Sequence, residues 1–335
     1  MPVSPPKSVT RKARAKINLY LHVTGQRDDG YHELDSLVAF ADIGDTLTVK
    51  AGQGGLGLEL TGPFAQDLNG DPENNLVLRA ARALADHAGV AANAHIVLEK
   101  NLPVASGIGG GSADAAAALL ALYPFWGIEL HDDDIHHVAH DVADDVDTAR
   151  ALSTLFKVWR DDLDAELLST IGLELGADVP VCLAGRPVFM GGIGEKLELA
   201  PHLPHAWLVL VNPGVAVSTP GVFMARAEAQ GEDFSNPARF QDHPRDAAHF
   251  AEILAERRND LMAPAIALEP VIQDVLDALA AQDGCLLARM SGSGATCFGL
   301  FAQIPEALAA AGRLAADHPE WWVEAAELLD APLDF

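Results

Sequence analysis

Cysteine is scarce: Cys182, Cys285 and Cys297 are the whole complement of a 335-residue chain, widely spaced and without a C-x-x-C pair. That excludes a disulfide framework and a finger-type zinc site, and makes buried, reduced thiols the expectation. Basic residues are few as well, 22 Lys and Arg against 48 Asp and Glu, for a net charge of −26. So acidic a chain offers no footprint for nucleic acid or an anionic membrane, so neither is expected as a partner, and a negative substrate must be met by local donors. No run approaches the ~18 apolar residues of a spanning helix. The start, Met1 to Lys12, is basic and contains proline but lacks an apolar signal-type stretch, which reads as a disordered lead-in to a cytoplasmic protein. The phosphate-loop signature G-x-x-x-x-G-K-[ST] is also absent. A phosphate site, if there is one, must borrow its lysine from elsewhere.

Hydrophobic residues make up 49% of the chain, enough for a sizeable core, and the length fits two domains better than one. Ala13 to Thr24 alternates, with Ile17, Leu19, Leu21 and Val23 on one face of a half-buried strand and Lys16, Asn18, Tyr20 and His22 on the other. A second strand is expected from Tyr31 to Ala41 and a third over Asp45 to Ala51. Gly52 to Gly57 fits G-x-G-x-x-G, but alternating residues and not a helix follow it, so it reads as a hairpin turn. Helical spacing runs from Leu76 to Gly89, then a strand from Ala94 to Glu99. Trp207 to Val211 is a buried strand, Asn236 to Asp246 a polar loop, and two helices lie near Ala248 to Glu256 and Pro270 to Ala281. Cys297 to Phe301, Pro305 to His318 and Trp321 to Ala325 give strand, helix and strand. Hairpins in front with helices and strands alternating behind indicate an α+β architecture.

Three glycine-rich or acidic junctions hold the chemistry. Pro103 to Asp114 (PVASGIGGGSAD) runs into an alanine-rich helix, where backbone N–H groups at the helix start can cradle an anion and Ser112 would cap the helix. Such a loop is equally a plain turn before a core helix, and both readings stand at this point. Gly176-Ala177-Asp178-Val179-Pro180 sets an acid at a helix-to-strand junction in apolar surroundings, which calls for a lysine partner. Ala288 to Thr296 is a second glycine loop. Between the first two, Trp126 and Trp159, Asp114 and Asp147, and Asp145 and Asp178 repeat at one offset, which indicates a duplicated helical insertion at about 127–160. Its His131 to Asp141 cluster reads as an acidic, solvated helix in preference to a metal site, and Asp145 as an inert copy of Asp178.

Ala15-Lys16-Ile17-Asn18-Leu19, Pro103 to Ala113 and Met290 to Thr296, in that order and spacing, resemble the GHMP superfamily of small-molecule kinases. Gly30-Tyr31-His32-Glu33-Leu34, the triple glycine Gly109-Gly110-Gly111 and Gly176 to Pro180 bring the resemblance closest to the branch acting on a diphosphocytidyl-linked methylerythritol. The resemblance implies a two-domain fold: an N-terminal domain over 10–192 like domain 2 of ribosomal protein S5, and a ferredoxin-like α+β C-terminal domain over 193–335. It also implies ATP and Mg2+ as cofactors, with no metal ligand assigned, and a cytidine diphosphate-linked small molecule as partner. Phosphoryl transfer would go to the 2-hydroxyl of the methylerythritol. Homoserine- or mevalonate-type kinases, or an inactive nucleotide-binding homologue, are the alternatives. Lys16 and Asp178 would be catalytic. The ATP side would comprise Pro103, Val104, Ala105, Ser106, Gly107, Ile108, Gly109, Gly110, Gly111, Ser112 and Ala113, with Asn75, Lys100 and Leu102 towards the adenine. On the substrate side, Asn18 and Thr219 would join Tyr31 and Phe223, which sandwich a cytosine ring, and His32, which meets its edge.

Overall fold

The computed structural model describes residues 6–68, 70–128, 165–231 and 233–330. The duplicated segment with its histidine cluster and Asp145 falls, but for its first two positions, outside the described residues.

Strand β1 (Ser8–Gln26) and strand β2 (His32–Lys50) are antiparallel partners over their full length. The expected lead-in is therefore ordered from Ser8, because Ser8 to Lys12 pair with Lys50 to Thr46. The expected second and third strands are one strand. Asp42, the apparent break, is held in place by Lys12 Nζ at 3.0 Å and Arg14 Nε at 3.1 Å, and pairing continues through Gly44. Nor is β1 half-buried: Lys16, Asn18, Tyr20 and His22 are all buried, since packed elements cover both faces. A bulge between Asn18 and Tyr20 breaks the alternation, so Tyr20 joins Ile17 and Leu19 in one core.

The free edge of β2 is used in three pieces. After strand β3 (Leu56–Thr61) and helix α1 (Leu76–Ala88), strand β4 (Ala94–Glu99) pairs with Thr46 to Lys50. β3 lies parallel beside β4, so the Gly52 to Gly57 turn is a connection to a distant edge and not the hairpin the spacing suggested. Helix α2 (Gly110–Phe125), helix α3 (Ala165–Leu175) and helix α4 (Val179–Ala184) follow, then strand β5 (Val188–Gly192), which pairs with Leu34 to Val38, and strand β6 (Lys196–Leu199). Since β5 and β6 form a hairpin, a boundary at 192/193 would cut it.

The rest of the sheet comes from the C-terminal part. Strand β7 (Trp207–Asn212) is followed by helices α5 (Thr219–Gln230), α6 (Ala247–Ala255), α7 (Met262–Leu268) and α8 (Val271–Ala280). Strands β8 (Cys285–Met290) and β9 (Cys297–Phe301), helix α9 (Ile304–Asp317) and strand β10 (Trp322–Leu329) complete the described chain. The order is β3-β4-β2-β10-β7-β9-β8, and β10 joins the halves by pairing with Phe40 and Ala41 on one side and β7 on the other. Helices α5 and α7 escaped the sequence reading: each is short and proline-containing. In α5 Pro220 sits in the first turn behind the Ser218 N-cap, where its missing N–H is harmless.

Candidate active site

The phosphate-loop region folds as the glycines require, but its helix starts differently from the expectation. Gly109, with φ of 65°, occupies the N-cap position of α2, and Ser112 lies inside the first turn with no cap bond. The first-turn N–H groups of α2 are thus left open toward a cleft of about 1060 Å3 lined by Pro103 to Gly107, Gly109 to Ser112, Lys16, Asn18, Asp178 and Gly292 to Gly294. A Cβ on Gly109 would stand 3.0 Å from Lys16 Cε, and one on Gly107 2.5 Å from Gly294 O, so side chains at either place would fill the cradle. The two glycine loops are also stitched together: Thr296 N donates to Ser106 O at 3.1 Å and Ser291 Oγ to Gly107 O at 3.2 Å.

Lys16 crosses this cradle from β1. Its backbone N–H donates to Ile108 O at 2.9 Å, and its ammonium donates to Asp178 Oδ2 at 2.9 Å and Asn18 Oδ1 at 3.0 Å. The lysine is 5% exposed and the carboxylate 37%, so the pair opens to the cleft on the acid's side. Asp178 does not stand at a helix-to-strand junction: it occupies the N-cap position of α4, its side chain makes no capping bond, and it is thereby left to Lys16. A lysine with a neighbouring carboxylate at an anion cradle can hold a phosphoryl group while the acid accepts a proton.

At the other end of the cleft, His32 lies on Phe223 with ring centroids 4.7 Å apart and planes at 21°. Tyr31 is 63% exposed. Tyr31, His32 and Phe223 all line the cleft, and the imidazole stacks on Phe223. Burial, aided by Arg226, pushes the His32 pKa down, so the ring is neutral at neutral pH and can both donate and accept. Thr219 lines the same cleft, its hydroxyl 2.8 Å from Ser293 Oγ.

Four expected nucleotide contacts do not line the cleft, and a fifth is engaged by other residues. Asn75 is spent on capping α1, its Oδ1 accepting from Val77 N at 2.9 Å. Leu102, Ile108 and Ala113 are buried core residues and do not line the cleft. Lys100 does border the cleft, but its ammonium is committed to Asp114 at 2.8 Å and to Asp45, in a buried cluster behind Gly110. Asp45 in turn accepts Asn101 N at 2.6 Å and Leu102 N at 2.9 Å, which fixes the start of the loop.

Some site-building residues carried no local signal. Buried Asn259 donates from Nδ2 to Met290 O and Gly292 O, both at 2.8 Å, and so shapes the second glycine loop from a distant helix start. Among the described residues no cluster of three or more His, Cys, Asp or Glu could hold a metal ion, and no helix is long and apolar enough to cross a membrane.

Residues 75–151 match the model of the GHMP kinases N terminal domain, and residues 241–318 that of the GHMP kinases C terminal. A 4-diphosphocytidyl-2-C-methyl-D-erythritol kinase of Paramagnetospirillum magneticum is 52% identical over 322 residues, covering 96% of this chain and 99% of the relative. The chain belongs to the 4-diphosphocytidyl-2-C-methyl-D-erythritol kinase family. A family member from Cereibacter sphaeroides is 51% identical over 95% of this chain and 98% of its own length. The crystal structure of a 4-(cytidine 5'-diphospho)-2C-methyl-D-erythritol kinase superposes with a TM-score of 0.67 at 32% identity, over 96% of this chain and 100% of that one. Homoserine kinase from Cytophaga hutchinsonii shares the fold, with a TM-score of 0.64 at 17% identity. The two-domain α+β GHMP kinase fold and ATP-dependent kinase membership are thus established, as the motifs implied.

Proposed function

We propose that the chain transfers the γ-phosphoryl group of ATP to the 2-hydroxyl of 4-diphosphocytidyl-2-C-methyl-D-erythritol, giving the 2-phosphate and ADP, in the cytoplasmic non-mevalonate route to isoprenoids. The observation that carries the mechanism is the Lys16–Asp178 pair, 2.9 Å apart, beside an open helix start. Asp178 takes the proton of the attacking hydroxyl as its oxygen bonds to the γ-phosphorus, and the bond to the β-phosphate oxygen breaks to release ADP. Lys16 pairs with Asp178 and offsets charge spreading over the transferring oxygens, while the N–H groups of α2 hold the remaining phosphates. Phosphoryl transfer needs little more than such positioning and charge stabilisation.

Among the described residues, Asp178 is the one carboxylate lining the cleft, and it is paired with Lys16, so these residues offer Mg2+ no cluster of carboxylates. Mg2+ brought in with the nucleotide would supply neutralisation of phosphate charge. At the far end, Phe223, Tyr31 and a neutral His32 offer a flat, partly apolar surface with an edge donor and acceptor, which suits a pyrimidine. Measuring ADP release with the diphosphocytidyl alcohol, mevalonate and homoserine in parallel tests the reading. Release with the diphosphocytidyl alcohol alone is expected; release with either of the others but not with it would overturn the assignment.

A further inference from the structure

We infer that Ser36, a fully buried hydroxyl on β2 that touches neither cleft nor substrate, is a positioning residue that sets which way the Asn18 amide faces and so keeps Lys16 on Asp178. The inference rests on the kinase reading above. Ser36 Oγ lies 2.5 Å from Tyr20 O and 2.8 Å from Asn18 Nδ2. A backbone carbonyl can only accept, so the Ser36 proton is committed to Tyr20 O. The hydroxyl oxygen is then left to accept from Asn18, which obliges the amide to present its NH2 to Ser36 and its Oδ1 to the opposite side. On that side stands the Lys16 ammonium, 3.0 Å from Oδ1, a group that can only donate. Reversing the amide would set NH2 against NH3+ and leave buried groups unpartnered.

The orientation is not set by any other side chain among the described residues. The Asn18 backbone N–H goes to Ser291 Oγ at 3.1 Å, which anchors the main chain but leaves the amide free to turn. Asn18 itself is 1% exposed and Ser36 0%, so water does not substitute for either partner. Tyr20 O is in place to receive the Ser36 proton because of the bulge between Asn18 and Tyr20, opposite Val38 and Leu37. The relay therefore runs from a strand distortion through Ser36 and Asn18 to Lys16 and Asp178. On this account Asn18 orients the lysine; it is not itself required to hold the acceptor hydroxyl.

Ser36→Ala, Ser36→Thr, Asn18→Ala and the double variant Asn18→Ala/Ser36→Ala test it by steady-state kinetics with ATP and the diphosphocytidyl alcohol. In Ser36→Ala, kcat is expected to fall about tenfold, the scale of one lost buried hydrogen bond, with both KM values nearly unchanged. Ser36→Thr, which keeps the hydroxyl, should restore most of it, and the double variant should be no slower than Asn18→Ala. Should alanine at 36 fail to fold, Ser36→Cys keeps the size and loses most of the hydrogen bonding, with the same expected drop. Unchanged kcat in Ser36→Ala or Ser36→Cys overturns the inference, as does an equal loss on the Asn18→Ala background. An inactive wild-type chain overturns the kinase reading instead.

Discussion

Replacing Gly109 with alanine should pull Lys16 away from Asp178. Gly109 has φ of 65°, a conformation that costs a residue with a Cβ about 1–2 kcal/mol. The new methyl would stand 3.0 Å from Lys16 Cε and 3.2 Å from Lys16 Cβ. Rotating the lysine stem relieves the first contact but not the second, because Lys16 Cβ is fixed on β1, where the backbone N–H of the same residue is tied to Ile108 O. Either the loop or the lysine must shift, and the 2.9 Å contact to Asp178 lengthens with it. A misplacement of about 1 Å among reacting groups is worth about 100-fold in rate. Gly109→Ala is therefore expected to lower kcat about 100-fold, and to lower folding stability by about 2 kcal/mol. Gly312→Ala is the matched control: its Cβ meets nothing within 4 Å in the middle of α9, so it should gain about 0.5–1 kcal/mol with kcat unchanged. Urea unfolding and ADP-release kinetics on both variants decide it. Wild-type kcat in a folded Gly109→Ala would refute the placement of Lys16 against the loop.

Asp178→Asn keeps the shape of the side chain and removes the proton acceptor, so turnover of the diphosphocytidyl alcohol should fall by at least about 100-fold while ATP binding by calorimetry persists; near-normal turnover would sink the mechanism. Asp114 has one buried oxygen without a partner, and burial pushes its carboxyl up to about 8 against the pull of Lys100, with Asp45 adding to the rise. The folded state then keeps a proton that the unfolded chain releases near pH 4, so this group's contribution is full below that value and is lost as pH rises toward 8. Asp114→Asn has no such proton, and Lys100 keeps Asp45. Its stability relative to wild type should climb between pH 5 and pH 8 by up to about 1.4 kcal/mol per unit. Parallel unfolding curves for the two proteins across that range would show that the buried carboxyl is already ionised.

The elements that could be read from the sequence are those whose causes are local. α1 is bounded by an asparagine that caps it and by Gly89 at φ of 63°, and β4 spans Ala94–Glu99 as its alternation indicated. The same locality hides what residues do for other elements. Asn75 beside a glycine-loop domain looked like a nucleotide contact, yet the commonest use of asparagine before an apolar helix is the cap it forms here. Lys100 next to the loop reads as an adenine-side residue, but Asp45 and Asp114 reach it from other elements, and spacing along the chain cannot reveal that convergence.

Lys16 and Asp178 are a different matter, because they are far apart in sequence and were still paired correctly. The acid's apolar setting calls for a lysine partner; that this partner is Lys16 is what the resemblance to the GHMP kinases implies, and the two stand 2.9 Å apart. Ser36 shows where that reasoning ends. A serine among apolar strand residues has no unmet need visible in sequence, since its role arises only when a bulge in β1 brings Tyr20 O and the Asn18 amide to the same hydroxyl. Groups that do chemistry declare themselves by what they lack. Groups that orient them are defined by strand register, and register is set by the whole sheet.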